Sequence, residues 1–337
     1  MARRYLTQRQ QERIQQAQER RRQGTAGRTA CQAGGPAGNG LGPEQTGLVI
    51  ANYGPALIIE EPQGRLYRCA VRQHLGTLVC GDRVIWQASG GGEGVVIALA
   101  ERRSLLSRPD YSGRLKPVAA NLEQVAMVVA PRPALQEYLI DGCLVVIETL
   151  GLAPLLVVNK VDLLDAAGLT ELTTRLAAYR RIGYPVLFAS TRTAHGLDAL
   201  RDHLKGRTSI LVGQSGVGKS SLIKVLLPHR EICIQELSQA TGHGTHATST
   251  ATLYHLPAGG DLIDSPGVRS FTWGQLHPAD LERGFVEFAP YRGRCKFSDC
   301  SHTVEPGCAL LAAVECRAID LRRLQSYHQM KNALRTD

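Results

Sequence analysis

Between Gly47 and Glu101, apolar residues gather into five short strand-like runs, GLVIAN, ALIIEE, RLYRCAVR, DRVIWQ and GVVIALAE. Turn residues such as Gly54, Pro55, Gly64, Gly81 and Gly90 to Gly92 separate them. In the third run Tyr67, Cys69 and Val71 alternate with Arg68, Ala70 and Arg72, the period of two expected of a strand with one buried face. Five strands in so short a span predict a small barrel, with the oligonucleotide-binding type as the leading candidate. Strand pattern does not distinguish an RNA face from a packing module. From Gln124 the rhythm changes. QVAMVVA, PLLVVNK, PVLFAS, TSILVG and DLIDSPG now alternate with longer stretches such as YLIDGCLVVIETL and LTELTTRLAAYRRIG. This alternation predicts a parallel sheet covered by helices, which binds ligands beyond the carboxyl ends of its strands.

Composition refines this picture. A chain of 337 residues that is 43% hydrophobic can build two or three packed domains. Its long apolar stretch CLVVIETLGLAPLLVV is interrupted by Glu148 and preceded by Asp141, and falls short of the roughly 18 uncharged residues that a membrane span requires. No secretory signal is expected in the Arg- and Gln-rich N-terminus, so the nine cysteines are read as thiols or metal ligands in a cytoplasmic, monomeric protein that does not enter membranes. Residues 30–47, ACQAGGPAGNGLGPEQTG, are read as a linker because of their Gly and Pro content. The net charge of +9 is concentrated before that linker. Arg3, Arg4, Arg9, Arg13, Arg20, Arg21, Arg22 and Arg28, against Glu12 and Glu19, leave +6 in residues 1–30 and +3 elsewhere. Such a tail is either a solvated leader or an arm that neutralises nucleic-acid phosphates.

The candidate chemistry sits at the strand ends. GQSGVGKS has the phosphate-loop pattern, running through Gly213, Gln214, Ser215, Gly216, Val217, Gly218, Lys219 and Ser220, with Ser221 next. Its glycines let backbone N–H groups turn toward phosphates, Lys219 reaches the β and γ oxygens, and Ser220 coordinates Mg2+. DSPG adds Asp264 as a carboxylate that holds Mg2+, directly or through water, and Gly267 as an N–H that senses the γ-phosphate. NKVD supplies Asn159, Lys160 and Asp162, whose carboxylate can accept both guanine N–H donors, and FAST adds Ala189 and Ser190, whose backbone supports the base. GTP is therefore the expected ligand. The guanine motif precedes the phosphate loop instead of following it, so the domain is read as circularly permuted, its order opened at a different point of the same fold. The chain then leaves DSPG straight into CKFSDCSHTVEPGC, where Cys295, Cys300, His302 and Cys308 suit one closed, structural Zn2+ site. Cys31, Cys69, Cys80, Cys143, Cys233 and Cys316 show no ligand spacing.

Taken together, GQSGVGKSSL, LYH followed by GGDLIDSPGVR, GFVEF and the segment ending in EPGC resemble the RsgA family of small-subunit-dependent bacterial GTPases over nearly the whole chain. The resemblance implies a multidomain protein: a basic tail and linker (1–46), an RNA-binding OB-like barrel (47–104), a permuted P-loop α/β GTPase domain (105–276) and a zinc-binding domain (277–337). It also implies a late assembly factor that binds the small ribosomal subunit and its rRNA near the decoding region and is stimulated by it. The switch segment TGHGTHATSTATLYH departs from the family pattern, because Ala247 replaces the first of three threonines. Alignment from LYH puts His246 on the family histidine and makes Thr248 the ligand for Mg2+ and γ-phosphate, with Thr245 and Thr250 as alternatives. Val268 stands where many GTPases place a water-orienting Gln, so His246 is the candidate catalytic group beside Lys219 and Thr248. His243 is its rival, and the ribosome is a third source of that group. An RNA-modifying or metabolic enzyme would need a second catalytic constellation, and neither the barrel nor the zinc segment shows one. A structural RNA-binding protein would not need a full set of nucleotide motifs.

Overall fold

The structure is a computed structural model and describes residues 41–54, 56–72, 75–109, 112, 114–230, 251–265 and 276–334. These form two compact units. The first comprises the described residues up to 105 with 117–121, 229–230 and 251–254, and the second comprises the rest.

The first unit is a barrel of β1 (Glu44–Asn52), β2 (Leu57–Glu60), β3 (Leu66–Val71), β4 (Arg83–Gly90) and β5 (Glu93–Leu99). β1 pairs with β2, β2 with β3, β3 in parallel with β5, β5 with β4, and β4 again with β1. Closure removes the open edges that would otherwise invite further pairing. Trp86 fills the centre with Val49, Leu57, Ile59, Cys69 and Val96, and the Tyr67 ring lies 4.5 Å from it. This packing explains why β1 begins inside the stretch read as linker. Glu44 to Gly47 pair with Gln87 to Val84, and a side chain at Gly47 would collide with Ile59 and Trp86. Glycine is needed there for close approach, not for flexibility. Below the barrel strands, the buried Asp82 accepts both Nε and Nη2 of Arg102 at 2.7 Å.

After the barrel the chain forms β6 (Leu105–Pro109) and β7 (Leu115–Ala120), then β8 (Gln124–Val129), β9 (Ala153–Val158), β10 (Val186–Phe188) and β11 (Thr208–Val212). β12 (Thr252–His255) meets β1 at Ala51, and β13 (Asp261–Asp264) completes the set. In the second unit β10, β9, β8, β11 and β13 lie side by side in that order, all parallel. Its helices are α1 (Glu137–Thr149), α2 (Ala166–Arg175), α3 (Ala177–Ile182), α4 (Leu197–Leu204), α5 (Lys219–Leu226), α6 (Pro278–Gly284), α7 (Ala309–Glu315) and α8 (Leu321–Ala333). The stretch 169–183, helical by pattern, is in fact two helices. At Leu176 the backbone relaxes to ψ 0, and Tyr179 N–H donates to Leu176 O in a tighter i to i+3 turn.

The C-terminal residues share a core with helix α1. Val145 of α1 packs with Leu281, Phe285, Phe288, Leu310, Leu324, Tyr327 and Met330, and Phe285 stacks on Phe288 at 5.0 Å. Beside this core lies a buried ionic network. Arg323 of α8 is fully buried, and its Nη1 donates to Asp141 Oδ1 at 2.8 Å. Its Nε and Nη2 donate to the two oxygens of Glu287 at 2.7 and 3.1 Å. Arg322 Nη1 donates to Tyr179 OH at 3.1 Å, and Tyr179 OH donates to Asp141 Oδ1 at 2.6 Å. Burial opposes the charge of Arg323, but Glu287 and Asp141 outweigh it and raise its pKa. Two guanidiniums face two carboxylates, so each buried charge has a partner.

Removing Arg323 takes from Glu287 its bidentate partner and leaves the buried Asp141 with Arg322 alone. Arg323→Ala should destabilise this unit by about 3–5 kcal/mol, read as a lower urea midpoint for the whole unit. An unchanged midpoint would contradict a stabilising role for the network.

Candidate functional site

Parallel pairing brings the motif-bearing ends of the strands to one edge. Val158 pairs with Phe188 and Val129, Val212 with Met127, and Ile210 with Ile263. Asn159, Ala189, Gly213 and Asp264 are the residues at or just beyond those ends, so they emerge along the same edge of the sheet. Chain order is irrelevant to this convergence. It depends only on strand direction and neighbour order.

The phosphate loop runs from Gly213 to Gly218, and α5 starts at Lys219. Ser215 and Gly216 are exposed, Val217 is buried, and Ser220 and Ser221 lie exposed in the first helical turn. Lys219 Nζ turns back over the loop and donates to Gly213 O and to Gln214 O, the latter at 2.8 Å. That position suits a cation held over oxygens of a bound polyphosphate.

The base motif is bolted to this loop. Buried Asn159 donates through Nδ2 to Val217 O at 2.9 Å, and a side chain on Gly218 would occupy the space of that amide. Lys160 has φ 64° and donates through Nζ to Gly216 O and, at 3.4 Å, to Arg132 O. Asp162 lies in a short 3-10 turn, Val161–Leu163. Ser190 is fully buried, and its hydroxyl donates to Asp162 Oδ1 at 2.5 Å while accepting from Arg192 N and Thr193 N at 3.2 and 3.3 Å. Ser190 therefore contributes more than the backbone support read from sequence. Its side chain fixes the orientation of the Asp162 carboxylate. Neither this bond nor the Arg132 carbonyl has a local sequence signal, because both join residues far apart in the chain. A mostly apolar cleft lined by Met127, Leu135, Leu139, Ile140 and Cys143 adjoins Gly213 and Gln214. Burial raises the Cys143 thiol pKa, which keeps it protonated.

A second cluster lies in the C-terminal region. Cys295 Sγ is 3.9 Å from Cys308 Sγ, and His302 Nδ1 is 3.6 Å from the first and 3.4 Å from the second. With Cys300 Sγ, all four donor atoms fall within 4.8 Å of one another. Zinc bonds of about 2.3 Å to sulfur and about 2.0 Å to nitrogen give tetrahedral edges of roughly 3.8 and 3.6 Å. Cys295, His302 and Cys308 fit such a metal in type and spacing, and Cys300 completes the donor set in type. Burial lowers the His302 pKa, which favours the neutral imidazole that ligation requires. Ala309 N and Leu311 N point at Cys295 Sγ and Cys308 Sγ, at 3.3 and 3.5 Å. Of the remaining cysteines, Cys69, Cys80 and Cys143 are buried and Cys316 is exposed.

His246, Thr248 and Gly267 lie outside the described residues, as do His243, Thr245, Thr250 and Val268, the arginines of residues 1–30, and Cys31 and Cys233.

A profile of the RsgA GTPase family matches residues 99–274. The chain is 46% identical to the small ribosomal subunit biogenesis GTPase RsgA of Ectopseudomonas mendocina, over all of this chain and 99% of that one. It is also 46% identical to the Pseudomonas aeruginosa protein of the same name, over 98% and 97% of the two chains. Among solved structures, YjeQ from Thermotoga maritima superposes with a TM-score of 0.73 at 31% identity, covering 88% of this chain and all of that one. YloQ, described as a circularly permuted GTPase, superposes at 0.70 with 26% identity, covering 87% and 96%. The permuted order of motifs, the closed barrel and the Cys/His cluster are thus accounted for together: the chain belongs to the RsgA GTPase family.

Proposed function

We propose that the chain hydrolyses GTP as a late-stage assembly factor of the small (30S) ribosomal subunit, binding its rRNA, stimulated by the subunit and released after hydrolysis. The observation that carries the nucleotide reading is the linkage of base and phosphate loops, Asn159 to Val217 and Ser190 to Asp162. A guanine nucleotide spanning both loops would meet a frame already set for it. In this reading Asp162 accepts the guanine N–H pair, and Asn159, Lys160, Ala189 and Ser190 enclose the base. The loop from Gly213 to Ser221 holds the phosphates, Ser220, Thr248 and Asp264 hold Mg2+, and Gly267 N–H meets the γ-phosphate. Lys219, Thr248 and His246 stabilise or orient the reacting groups. Cys295, Cys300, His302 and Cys308 hold one structural Zn2+. The ribosomal partner is supported by the names of the full-length relatives.

The same division of labour as in the sequence reading is proposed for the chain: tail and linker 1–46, RNA-binding barrel 47–104, GTPase domain 105–276 and zinc domain 277–337. Within it the arginines of the tail neutralise rRNA phosphates. A cytoplasmic monomer suits such a role, and among the described residues no helix is long and apolar enough to cross a membrane.

Four outcomes test this reading. Asp162→Asn removes two charge-assisted acceptors, so GTP affinity should fall at least about 100-fold while xanthosine triphosphate gains, measured by titration with fluorescent nucleotides. Equal wild-type affinity for ATP and GTP would refute base reading. Ser190→Ala keeps the carboxylate but frees it to rotate, so GTP binding should weaken by about 10-fold with the preference for guanine reduced. On small subunits, sedimentation should show tight association with a non-hydrolysable GTP analogue and release with GDP. His246→Ala should stay bound with GTP and turn over slowly. Equal pelleting in both nucleotide states would end the release model, and normal stimulated turnover would remove His246 from catalysis.

A further inference from the structure

The Cys/His cluster contains a loop that meets α8 on one side, through Tyr327 and Lys331, and solvent on the other. Between Cys300 and Cys308 the chain must reverse so that His302 faces the sulfurs, and His302 takes φ 65°, a region that residues with a side chain rarely adopt. The outer side of the turn has no packing to shape it, since Val304, its apolar residue, is 85% exposed. Hydrogen bonds to one side chain span the turn instead. Glu305 Oε1 accepts from Ser301 N at 2.7 Å and from Ser301 Oγ, and Oε2 accepts from Thr303 N at 2.9 Å and Val304 N at 3.1 Å. These donors flank His302 on both sides. The Ser301 hydroxyl foremost, and then the backbone N–H groups, hold the Glu305 carboxyl well below the usual carboxylate range. Elsewhere, Ser301 Oγ also meets Thr303 Oγ1 at 2.7 Å, and Lys331 Nζ donates to Ser301 O at 3.5 Å.

We propose that Glu305 is the positioning residue of the metal site: its carboxylate clamps Ser301, Thr303 and Val304, and so presents His302 Nδ1 to the three cysteine sulfurs before metal binds. This rests on the reading of the cluster as a zinc site. Glu305 is not a ligand. It acts by lowering the ordering cost that a free loop would meet on binding, the role that outer groups have at many metal centres.

Glu305→Gln tests the clamp with little change in shape. Its amide nitrogen replaces one acceptor and must face either Thr303 N–H and Val304 N–H or the donors of Ser301. Zinc affinity should drop about 10- to 100-fold, measured on the full-length protein by competition with a chromophoric chelator, and zinc should be released correspondingly faster. Ser301→Ala, which keeps the carboxylate and the backbone donors, should show a smaller loss. Cobalt-substituted wild type should give the intense visible bands of a tetrahedral thiolate site, and the Gln variant should need more cobalt to reach them. Binding of a fluorescent GTP analogue to the zinc-saturated variants serves as the check on folding. Wild-type protein with no zinc would overturn the zinc reading itself. Wild-type protein with one zinc and an unchanged zinc dissociation constant in Glu305→Gln would overturn the clamp alone. Should Glu305→Gln fail to fold, an unchanged constant in Ser301→Ala would overturn it equally.

Discussion

Everything at the nucleotide site depends on the parallel register of five strands. Once β9, β10, β11 and β13 point the same way beside β8, their carboxyl ends must share an edge, whatever order the chain visits them in. Circular permutation then leaves the site's geometry intact. Further cross-links between loops refine it, since Asn159 reaches Val217 and Ser190 reaches Asp162 over separations that only the sheet makes short. Lys160, held in a left-handed conformation, adds a third tie, to Gly216. Base recognition and phosphate binding are therefore not independent. Displacement of one loop would strain the other through these bonds.

The permutation also places the C-terminal residues directly after the segment that follows Asp264. In the second unit those residues are not an appendage. Arg323 reaches Asp141 in α1 and Glu287 in the turn before the metal cluster, and Tyr327, one helical turn further on, packs between Phe285, Phe288 and His302. Arginine suits the position because its planar fork meets Glu287 through two nitrogens and Asp141 through a third, while its face lies over Phe285 at 4.5 Å. Such a network adds little net stability relative to a well-packed apolar core, but it tolerates only one arrangement of partners. Helix α1 also lines the cleft beside Gly213 and Gln214, so the metal-bearing region and the phosphate loop contact the same rigid element.

Different forces hold the two candidate sites. Around the nucleotide loops, buried strands carry the backbone to its position, and side-chain bonds adjust the last few ångströms. The Cys/His loop turns its outer side to solvent, and hydrogen bonds from Ser301, Thr303 and Val304 to the Glu305 carboxylate span it.

The motifs that nominate ligands were legible in the sequence, because phosphate, guanine and metal each demand particular atoms at short, regular spacings. GQSGVGKS, NKVD and the Cys–Cys–His–Cys set are such local motifs, and short apolar runs between turn residues marked the five barrel strands. The supporting groups had no such mark. Asp141 reads only as a charge near an apolar stretch, yet it is buried against Arg323 from the far end of the chain. Ser190 reads as a strand end, Glu305 as part of a turn, and Glu44 to Gly47 as linker. Their roles arise from distances between residues remote in sequence, or from hydrogen bonds that need a folded backbone, and composition does not encode either. By itself the sequence determined which ligand chemistry is present and the direction of the strands that carry it. Tertiary structure decided which charges could be buried and which side chains orient the ligand-facing groups, because both depend on partners that only packing brings within hydrogen-bond reach.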